Sequence, residues 1–311
     1  MVTISVIVPL FNEAENIHLL HQRLTEVIQK ISGSYELVFV NDGSRDQTLP
    51  LVKGIAAADP HVKYINFSRN FGHQIAVTAG LDYCNGEAIV IIDADLQDPP
   101  ELISEMYSKM KEGYDVVYAK RKSRQGETFM KKLTAKVFYR LLQRITSVNI
   151  PVDTGDFRII SHKIVKVLKQ MPEQQKYLRG QIAWAGYRQT YIEYERQQRH
   201  AGETGWPYRK MIRFALDGIT SFSNFPLKFA TASGIIVFVI SFLLMLYALY
   251  SRFVTKEFVA GWTSLMLVVL FIGGIQLLSI GIIGEYISRM SANVRNRPLY
   301  IVEDTNIKEE K

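Results

Sequence analysis

The chain has 311 residues, a formal net charge of +7 and a single cysteine. This length accommodates one large domain or two smaller ones, and a lone Cys84 excludes an intrachain disulfide and fits a reducing compartment. The mean hydropathy of +0.02 averages a charged region, residues 1–225, with two long apolar segments that follow it.

Apolar runs alternate with helical patterns along the first part of the chain. Strands are predicted at Thr3–Leu10, Tyr35–Val40, Val62–Phe67, Ala88–Ile92 and Asp115–Lys120. The helix after the first strand is predicted to begin at Asn12 as its N-cap, with Glu15 as the capping-box partner. Another helix is predicted from His73 to Cys84. This alternation predicts an α/β fold with a mostly parallel sheet.

Two carboxylates, Asp93 and Asp95, directly follow the fourth apolar strand. Ligands of open α/β sheets bind beyond the carboxyl ends of the strands, and two oxygen donors there suit Mg²⁺ or Mn²⁺ together with substrate phosphates. The alternative is that these acids cap a helix that begins near Pro99. Glu13 and Asp42, at the ends of two other strands, favour a site for a nucleotide and a metal ion. The glycine motifs of dinucleotide folds and P-loop enzymes are absent.

Two segments lack charged residues: Phe229–Ser251 over 23 positions and Phe258–Gly284 over 27. Each can cross a hydrocarbon core about 30 Å thick, which takes roughly 20 apolar residues. Basic residues are concentrated outside the short link between them. They are Arg209, Lys210, Arg213 and Lys228 before the first segment, and Arg289, Arg295 and Arg297 after the second. We therefore expect a multi-pass hairpin in the inner (plasma) membrane, with residues 1–225 and both termini in the cytoplasm.

A basic amphipathic helix is predicted immediately before the first apolar segment. Its apolar positions recur at helical spacing: Tyr208, Met211, Ile212, Ala215, Leu216 and Ile219. Such a helix is typical of one lying in the membrane interface, and the alternative is a helix packed on the soluble core. Glycines in the second segment permit close helix approach, and Gln276 could form a hydrogen bond between helices. We expect homo-oligomeric packing on this basis.

Four motifs at the predicted strand ends carry a family resemblance: Val8–Glu13, Val40–Ser44, Arg69–Gly72 and Asp93–Pro100. They resemble family 2 glycosyltransferases with a GT-A fold, and within that family the polyisoprenyl-phosphate glycosyltransferases. These include dolichol-phosphate mannose synthases and the bacterial enzymes that make undecaprenyl-phosphate glucose. The resemblance implies a GT-A catalytic domain at 1–205, an amphipathic juxtamembrane helix at 206–226, transmembrane helices at 227–251 and 258–286, and a cytosolic tail at 287–311.

The resemblance also implies roles for residues at the strand ends. Those expected to bind the nucleoside and donor sugar are Pro9, Phe11, Glu13, Val40, Asp42, Asp93 and Ala94. Asp95 and Gln97 would bind the metal, either Mg²⁺ or Mn²⁺, with Asp95 rather than Asp93 as the direct ligand. Asp98, Pro99 and Pro100 are interpreted as the start of a helix.

Further residues are implied near the acceptor. Asp156 maps to the catalytic aspartate of the family, and the alternative is an ordinary turn before a helix at His162. A phosphate acceptor is already anionic and barely needs a general base, so Asp156 could instead orient a substrate. Arg199 and Arg121 are candidates for phosphate binding. The family's usual Ser/Thr-Lys-Tyr is replaced here by Thr204-Gly205-Trp206, and Lys210 or Arg196 is the candidate to compensate for the missing lysine.

The predicted function is therefore inverting transfer of a sugar, most readily glucose from UDP-glucose, to a polyisoprenyl phosphate at the cytoplasmic membrane face. Other donors share these motifs: GDP-mannose, UDP-N-acetylglucosamine and UDP-aminoarabinose. The rivals are a processive polysaccharide synthase, whose Gln-x-x-Arg-Trp motif is absent, and an inactive nucleotide-binding scaffold. The resemblance suggests a homotetramer, and we expect no nucleic-acid partner.

Overall fold

A computed structural model describes residues 2–122, 154–195, 225–250, 254 and 261–307. The strands are β1 Ile4–Leu10, β2 Tyr35–Asn41, β3 Val62–Phe67, β4 Ala88–Ile91, β5 Val116–Arg121, β6 Thr154–Ser161, β7 Gln189–Tyr194 and β8 Val302–Thr305. The helices are α1 Ile17–Gln29, α2 Thr48–Ala58, α3 His73–Tyr83, α4 Leu102–Lys111, α5 His162–Lys169, α6 Leu178–Trp184, α7 Phe225–Tyr250 and α8 Trp262–Arg295. The five predicted strands and the α3 helix are present within a residue or two of their predicted bounds.

The strands form one sheet in the order β7-β5-β6-β4-β1-β2-β3-β8. At its centre, β1 pairs in parallel with β2 and with β4. The β6 strand is antiparallel and lies between β4 and β5, and β8 pairs antiparallel with the outer strand β3. The sheet is thus mostly parallel, as predicted, and the carboxyl ends of β1, β2 and β4 lie together at one edge.

Helices cover both faces of the sheet. The central strands present apolar side chains to both faces, and each face is buried against helices. One buried cluster joins Val6 and Val8 of β1 to α1, α2 and α4, and the other joins Ile7 of β1 to α3, α5 and α6. A Cβ atom on Gly80 of α3 would lie 2.3 Å from Cγ2 of Ile7. Only glycine lets α3 approach the central strand this closely.

The predicted start of α1 is wrong. The helix begins at Ile17 with Asn16 at the N-cap position, so Asn12 and Glu15 do not form a capping box. Asn12 instead has a φ of 56°, and its Oδ1 accepts a hydrogen bond of 2.9 Å from the N–H of Arg45. The long-range contact between two loops therefore replaces the local cap that the sequence suggested.

Two C-terminal helices are long and apolar enough to cross a membrane. The qualifying stretches are Phe225–Leu244, with a mean hydropathy of 2.2, and Phe271–Arg295, with a mean hydropathy of 1.4. The helices α7 and α8 pack against each other and indicate that the protein associates with a membrane. Within the described residues, a Cβ atom added at Gly273, Gly274 or Gly281 would meet nothing within 4 Å, so these glycines are not used in the α7–α8 contact. The predicted amphipathic helix, up to residue 224, lies outside the described residues.

Part of the segment at 287–311, expected as the cytosolic tail, returns to the sheet as β8. The β8 strand extends the outer edge, and Tyr64 on β3 donates from its hydroxyl to Oδ2 of Asp304, at 3.0 Å. Just before β8, the ring of Tyr300 stacks on Phe67 with 5.1 Å between centroids. At the end of α8, Oδ1 of Asn293 accepts a hydrogen bond of 3.0 Å from a backbone N–H in the loop between α5 and α6. The apolar hairpin is therefore joined to the α/β domain through its C-terminal end.

Candidate active site

The loops after β1 and β2 are joined to each other by hydrogen bonds. The N–H of Asn12 donates to Oγ of Ser44, at 2.9 Å, and the N–H of Glu13 donates to Oγ1 of Thr48, also at 2.9 Å. The carboxylate of Glu13 accepts from Nδ2 of Asn16 at 2.7 Å. Phe11 is 45% exposed between these contacts. The two loops thus form one wall of a site at the sheet edge, with Phe11 presented on it.

The floor beneath this wall is formed by buried residues of adjacent strands. Pro9 and Val40 are register partners in β1 and β2, and both are buried. Asp42 follows β2, and its two carboxylate oxygens accept from the N–H groups of Phe71, at 2.6 Å, and Gly72, at 2.9 Å. Burial raises the pKa of Asp42 above its ordinary value, against the lowering effect of these bonds. Asp42 therefore fixes the turn that leads into α3.

The predicted metal motif lies in a strained turn after β4. The side chain of Asp95 is buried, and its Oδ1 accepts a hydrogen bond of 3.1 Å from the N–H of Gln97. Leu96 between them has a φ of 57°, a left-handed conformation that costs a side-chain-bearing residue on the order of 1 kcal/mol. Ala94 is buried as well. The turn thus holds Asp95 and Gln97 in a conformation that the surrounding structure must enforce.

The structure brings Asp156 next to Asp93. Strands β4 and β6 are antiparallel, with Ile91 opposite Arg158. Continuing this register by two residues places Asp93 across from Asp156. His73, the first residue of α3, lies between the two carboxylates. Its Nε2 is 3.5 Å from Oδ1 of Asp93 and 3.3 Å from Oδ2 of Asp156.

Two arginines contact the other oxygen of Asp156. Nη2 of Arg158 and Nε of Arg179 each donate to Oδ1 of Asp156, at 3.0 Å. The side chain of Arg158 is 1% exposed and also donates to the carbonyl oxygens of Gly155 and Asp156. Its guanidinium lies 5.4 Å from the ring centroid of Tyr118. A buried cation of this kind requires a partner charge, and Asp156 supplies it.

These contacts set the protonation of the cluster. Burial raises the pKa of Asp156, but Arg179, His73 and Arg158 outweigh it and hold the pKa well below its usual range. Burial lowers the pKa of His73, but its hydrogen bond to Asp156 and the charges of both carboxylates raise it to about 9. The His73 side chain is 42% exposed, so solvent screens part of this effect. Burial raises the pKa of Asp93 to about 6.

His73, Asp93 and Asp156 offer ligand atoms within 4.8 Å of one another, a spacing that could hold a metal ion. The charges argue against it, because Arg158 and Arg179 already neutralise Asp156 and would repel a dication. A cation fits better on the β4 side of the cluster. There Oδ1 of Asp93 is buried and forms no hydrogen bond among the described residues, although Nε2 of His73 lies 3.5 Å from it as an ion-pair contact. The carboxylate of Asp95 lies two residues further along the same turn.

Asp98 is another buried carboxylate of the site. Pro99 and Pro100 accept the first backbone hydrogen bonds of α4, as a helix start requires, but the side chain of Asp98 does not cap the helix. The helix α4 begins at Leu102, while Asp98 is 0% exposed and accepts a hydrogen bond from the hydroxyl of Tyr194 on β7. Nη2 of Arg121 lies 4.0 Å from Oδ1 of Asp98, and its Nε donates to Tyr194 at 3.3 Å. A Cβ atom on Gly155 would be 3.0 Å from Nη2 of Arg121, so this glycine makes room for the guanidinium.

The structure thus assembles most of the predicted site residues at one edge of the sheet. Those at the edge are Pro9, Phe11, Glu13, Val40, Asp42, Asp93, Ala94, Asp95, Gln97, Arg121 and Asp156. Arg199 and Lys210 lie outside the described residues. Sequence reasoning missed His73, Arg158 and Arg179 as members of the cluster. His73 directly follows the Arg69–Gly72 motif, and Arg158 lies two residues after Asp156, so proximity to recognised motifs was the available signal.

The chain is a glycosyltransferase and belongs to glycosyl transferase family 2. The profile of that family matches residues 5–169, and the profile named GtrB C-terminal hairpin matches residues 225–290. The predicted family and GT-A fold are therefore confirmed.

Individual relatives cover nearly the whole chain. An uncharacterized glycosyltransferase of Bacillus subtilis, YkcC, is 51% identical over 96% of this chain and 93% of its own length. The prophage bactoprenol glucosyl transferase homolog of Escherichia coli is 40% identical over 96% of this chain and 98% of its own length. The bactoprenol glucosyl transferase of Shigella phage SfII is 40% identical over 97% of this chain and 98% of its own length. The similarity therefore includes the apolar hairpin as well as the catalytic domain.

Proposed function

We propose that this protein transfers glucose from UDP-glucose to a polyprenyl phosphate at the membrane surface. The observation that carries the proposal is similarity over nearly the full length, hairpin included, to proteins named bactoprenol glucosyl transferases. The apolar helices and the GT-A site of the same chain are in keeping with a soluble donor and a lipid acceptor. The product would be a lipid-phosphate-linked monosaccharide for later glycan or lipopolysaccharide modification.

The donor would bind along the edge formed by β1, β2 and β4. The nucleoside would lie on the floor of Pro9 and Val40, against Phe11, with Glu13 and Asp42 close by. Asp93 and Ala94 would line the sugar. A divalent ion, Mg²⁺ or Mn²⁺, held by Asp95 and Gln97 would neutralise charge on the diphosphate leaving group. Hard oxygen donors of this kind suit either ion.

The acceptor phosphate would attack the anomeric carbon from the side opposite the nucleotide, with inversion of configuration. Asp156 is a poor general base, because Arg179, His73 and Arg158 hold its pKa well below the usual range. A phosphate acceptor has little need of a base near neutral pH. We therefore assign Asp156 an orienting role, in which it holds the arginines and the reacting groups in place.

The acceptor side is proposed to combine Arg121 with Arg199 and Lys210. Arginine suits a phosphate because its planar fork presents two donors at once.

The helices α7 and α8 would cross the inner membrane as a hairpin, with both termini in the cytoplasm. The amphipathic segment at 206–226 would lie at the interface beside the lipid headgroups. Gly273, Gly274 and Gly281 of α8, where an added Cβ would meet no neighbouring atom, would pack against helices of further copies of the chain. The assembly we propose is a tetramer.

Replacement of Asp95 by Ala tests the proposed donor site. Purified protein in detergent is given UDP-glucose, Mg²⁺ or Mn²⁺ and undecaprenyl phosphate, and lipid-linked glucose is measured by mass spectrometry. We expect Asp95→Ala to lower turnover by at least about 100-fold, because the stabilisation of leaving-group charge is worth several kcal/mol. Calorimetric titration with UDP-glucose and metal should show weakened binding. Near wild-type transfer in Asp95→Ala would contradict the metal assignment.

Asp115→Asn is the matched control. Asp115 precedes β5 at the opposite end of the sheet, where its Oδ1 accepts a hydrogen bond from Ser161 at 3.0 Å. This variant should keep full transfer activity. A panel of GDP-mannose, UDP-N-acetylglucosamine and UDP-aminoarabinose tests the sugar, and another hexose that outcompetes glucose would replace it in the proposal. A polymeric product would support a polysaccharide synthase, and nucleotide binding without any product would support a scaffold.

A further inference from the structure

His73 connects two functional carboxylates that come from different strands. Its Nε2 is 3.5 Å from Oδ1 of Asp93 at the end of β4 and 3.3 Å from Oδ2 of Asp156 on β6. The imidazole stands at the first position of α3, which the hydrogen bonds from Phe71 and Gly72 to Asp42 hold in place. The loop after β2 therefore fixes where His73 lies, and His73 in turn contacts both carboxylates.

Without a cation between them, these carboxylates would repel each other. Opposing charges are distributed unevenly around the pair: Arg158 from β6 and Arg179 from α6 both contact Oδ1 of Asp156. His73 contacts both carboxylates, and it thus links the donor side of the site, at Asp93, to the acceptor side, at Asp156.

We infer that His73 is a positioning residue that holds Asp93 and Asp156 in the relative geometry required for glycosyl transfer. The inference rests on the proposed function, in which Asp93 lines the donor sugar and Asp156 orients the reacting groups. The nucleoside floor and the Asp95 turn do not depend on this contact. Loss of the imidazole should therefore lower kcat much more than it raises KM for UDP-glucose.

His73→Gln is the main variant, because the amide keeps one donor but carries no charge. We expect kcat to fall about 10- to 100-fold, the size of effect that a misplacement near 1 Å produces, with KM for UDP-glucose changed less than about threefold. His73→Arg, whose planar fork can reach two carboxylates, should recover part of the lost kcat. His21→Gln is the matched control, since His21 contacts Asp59 at 3.0 Å on the surface away from the site, and it should leave kcat unchanged.

A double-mutant cycle separates positioning from a general loss of fold. If His73 acts through Asp156, the double variant His73→Gln/Asp156→Asn should lose much less kcat than the product of the two single losses. The same variants are compared in thermal unfolding, where the shifts in melting temperature should also be less than additive. Multiplicative losses in kcat, or a kcat of His73→Gln within twofold of wild type, would overturn the inference.

The wild-type assay keeps this test distinct from the test of the proposed function. Absence of lipid-linked sugar from every donor would contradict the proposed function alone, and the unfolding cycle would still report whether His73 and Asp156 are coupled. Additive melting shifts in that case would overturn the role of His73. Wild-type transfer that survives in His73→Gln would leave the proposed function intact and remove only the positioning role.

Discussion

Ion pairs occur both near the centre of the sheet and at its outer edge, but they are buried near the centre and exposed to solvent at the edge. At the centre, Asp156 is in contact with three cationic side chains, and one of them, Arg158, is 1% exposed. At the outer edge, Lys53 and Asp304 form an ion pair at 2.5 Å with 44% and 40% of their side chains exposed. Breaking a buried pair leaves a charge without water or partner, whereas an exposed pair is replaced by solvent. Distance alone therefore does not rank these contacts, and burial does.

The largest expected effect is that of Asp156→Asn. The substitution leaves the buried guanidinium of Arg158 without a carboxylate, which should cost about 3 kcal/mol and lower the melting temperature of the catalytic domain by roughly 6–12 °C. Turnover should fall about 100-fold because the orienting contact is lost. Thermal unfolding in detergent and the transfer assay measure the two effects. A melting temperature unchanged within error would show that the central cluster contributes no more than the exposed edge.

An intermediate effect is expected from Gly80→Ala. The added Cβ would lie 2.3 Å from Cγ2 of Ile7, so α3 must move away from the central strand at a cost of about 1–3 kcal/mol. Gly54→Ala is the matched control, because a Cβ at this position in α2 meets nothing within 4 Å and should stabilise the helix by about 0.5–1 kcal/mol. The melting temperature should fall in Gly80→Ala and rise in Gly54→Ala. Shifts of the same sign in both variants would contradict the contrast between the packed centre and the open helix surface.

The contribution of His73 to stability should depend on pH. Its pKa is raised from the ordinary 6.5 to about 9, so the stabilisation is fully present below pH 6.5 and is lost as the pH rises through about 9. The difference in melting temperature between wild type and His73→Gln should therefore shrink between pH 7 and pH 10. A difference that stays constant over this range would show that the imidazole acts without its charge.

The smallest effect is expected at the outer edge. Lys53→Met removes the exposed pair with Asp304 and should change stability by about 0.5 kcal/mol or less. The hydrogen bond from Tyr64 to Asp304 remains and continues to hold β8. Melting curves at low and high salt measure the change. A loss comparable to that of Asp156→Asn would contradict the view that burial ranks these contacts.

The sequence predicted strands β1 to β5 because apolar residues predominate in each of them, most completely in Ala88–Ile91. It did not predict β6, where the fully buried Arg158 interrupts the apolar pattern, or β8, whose Val-Glu-Asp-Thr residues lack a buried face. Asp98 was misinterpreted because its partner Tyr194 is 96 positions away. Local pattern cannot reveal a carboxylate that is buried by a distant hydroxyl.

The residues of the candidate active site were likewise predicted where a local motif marks them and missed where distant parts of the chain bring them together. Residues in recognisable motifs, such as Asp95 and Asp156, could be nominated from the sequence, and their roles in donor and metal binding stay predictions. His73 could be nominated only by its position directly after the Arg69–Gly72 motif. Arg179 has no such motif beside it, and its place in the cluster depends on how α6 packs at the sheet edge.

In the proposed hairpin, the length of α8 would set the distance between the catalytic domain and the bilayer. The charge-free part of α8 ends at Gly284, and the helix continues to Arg295, which would add about 16 Å beyond the hydrocarbon at about 1.5 Å per residue. The chain then enters β8 within a few residues, so this standoff is rigid at its C-terminal end. Under the proposed membrane placement, the lipid phosphate must rise from the bilayer or the domain must lean toward it. The reach between membrane and sheet edge would then limit which headgroups can be glycosylated.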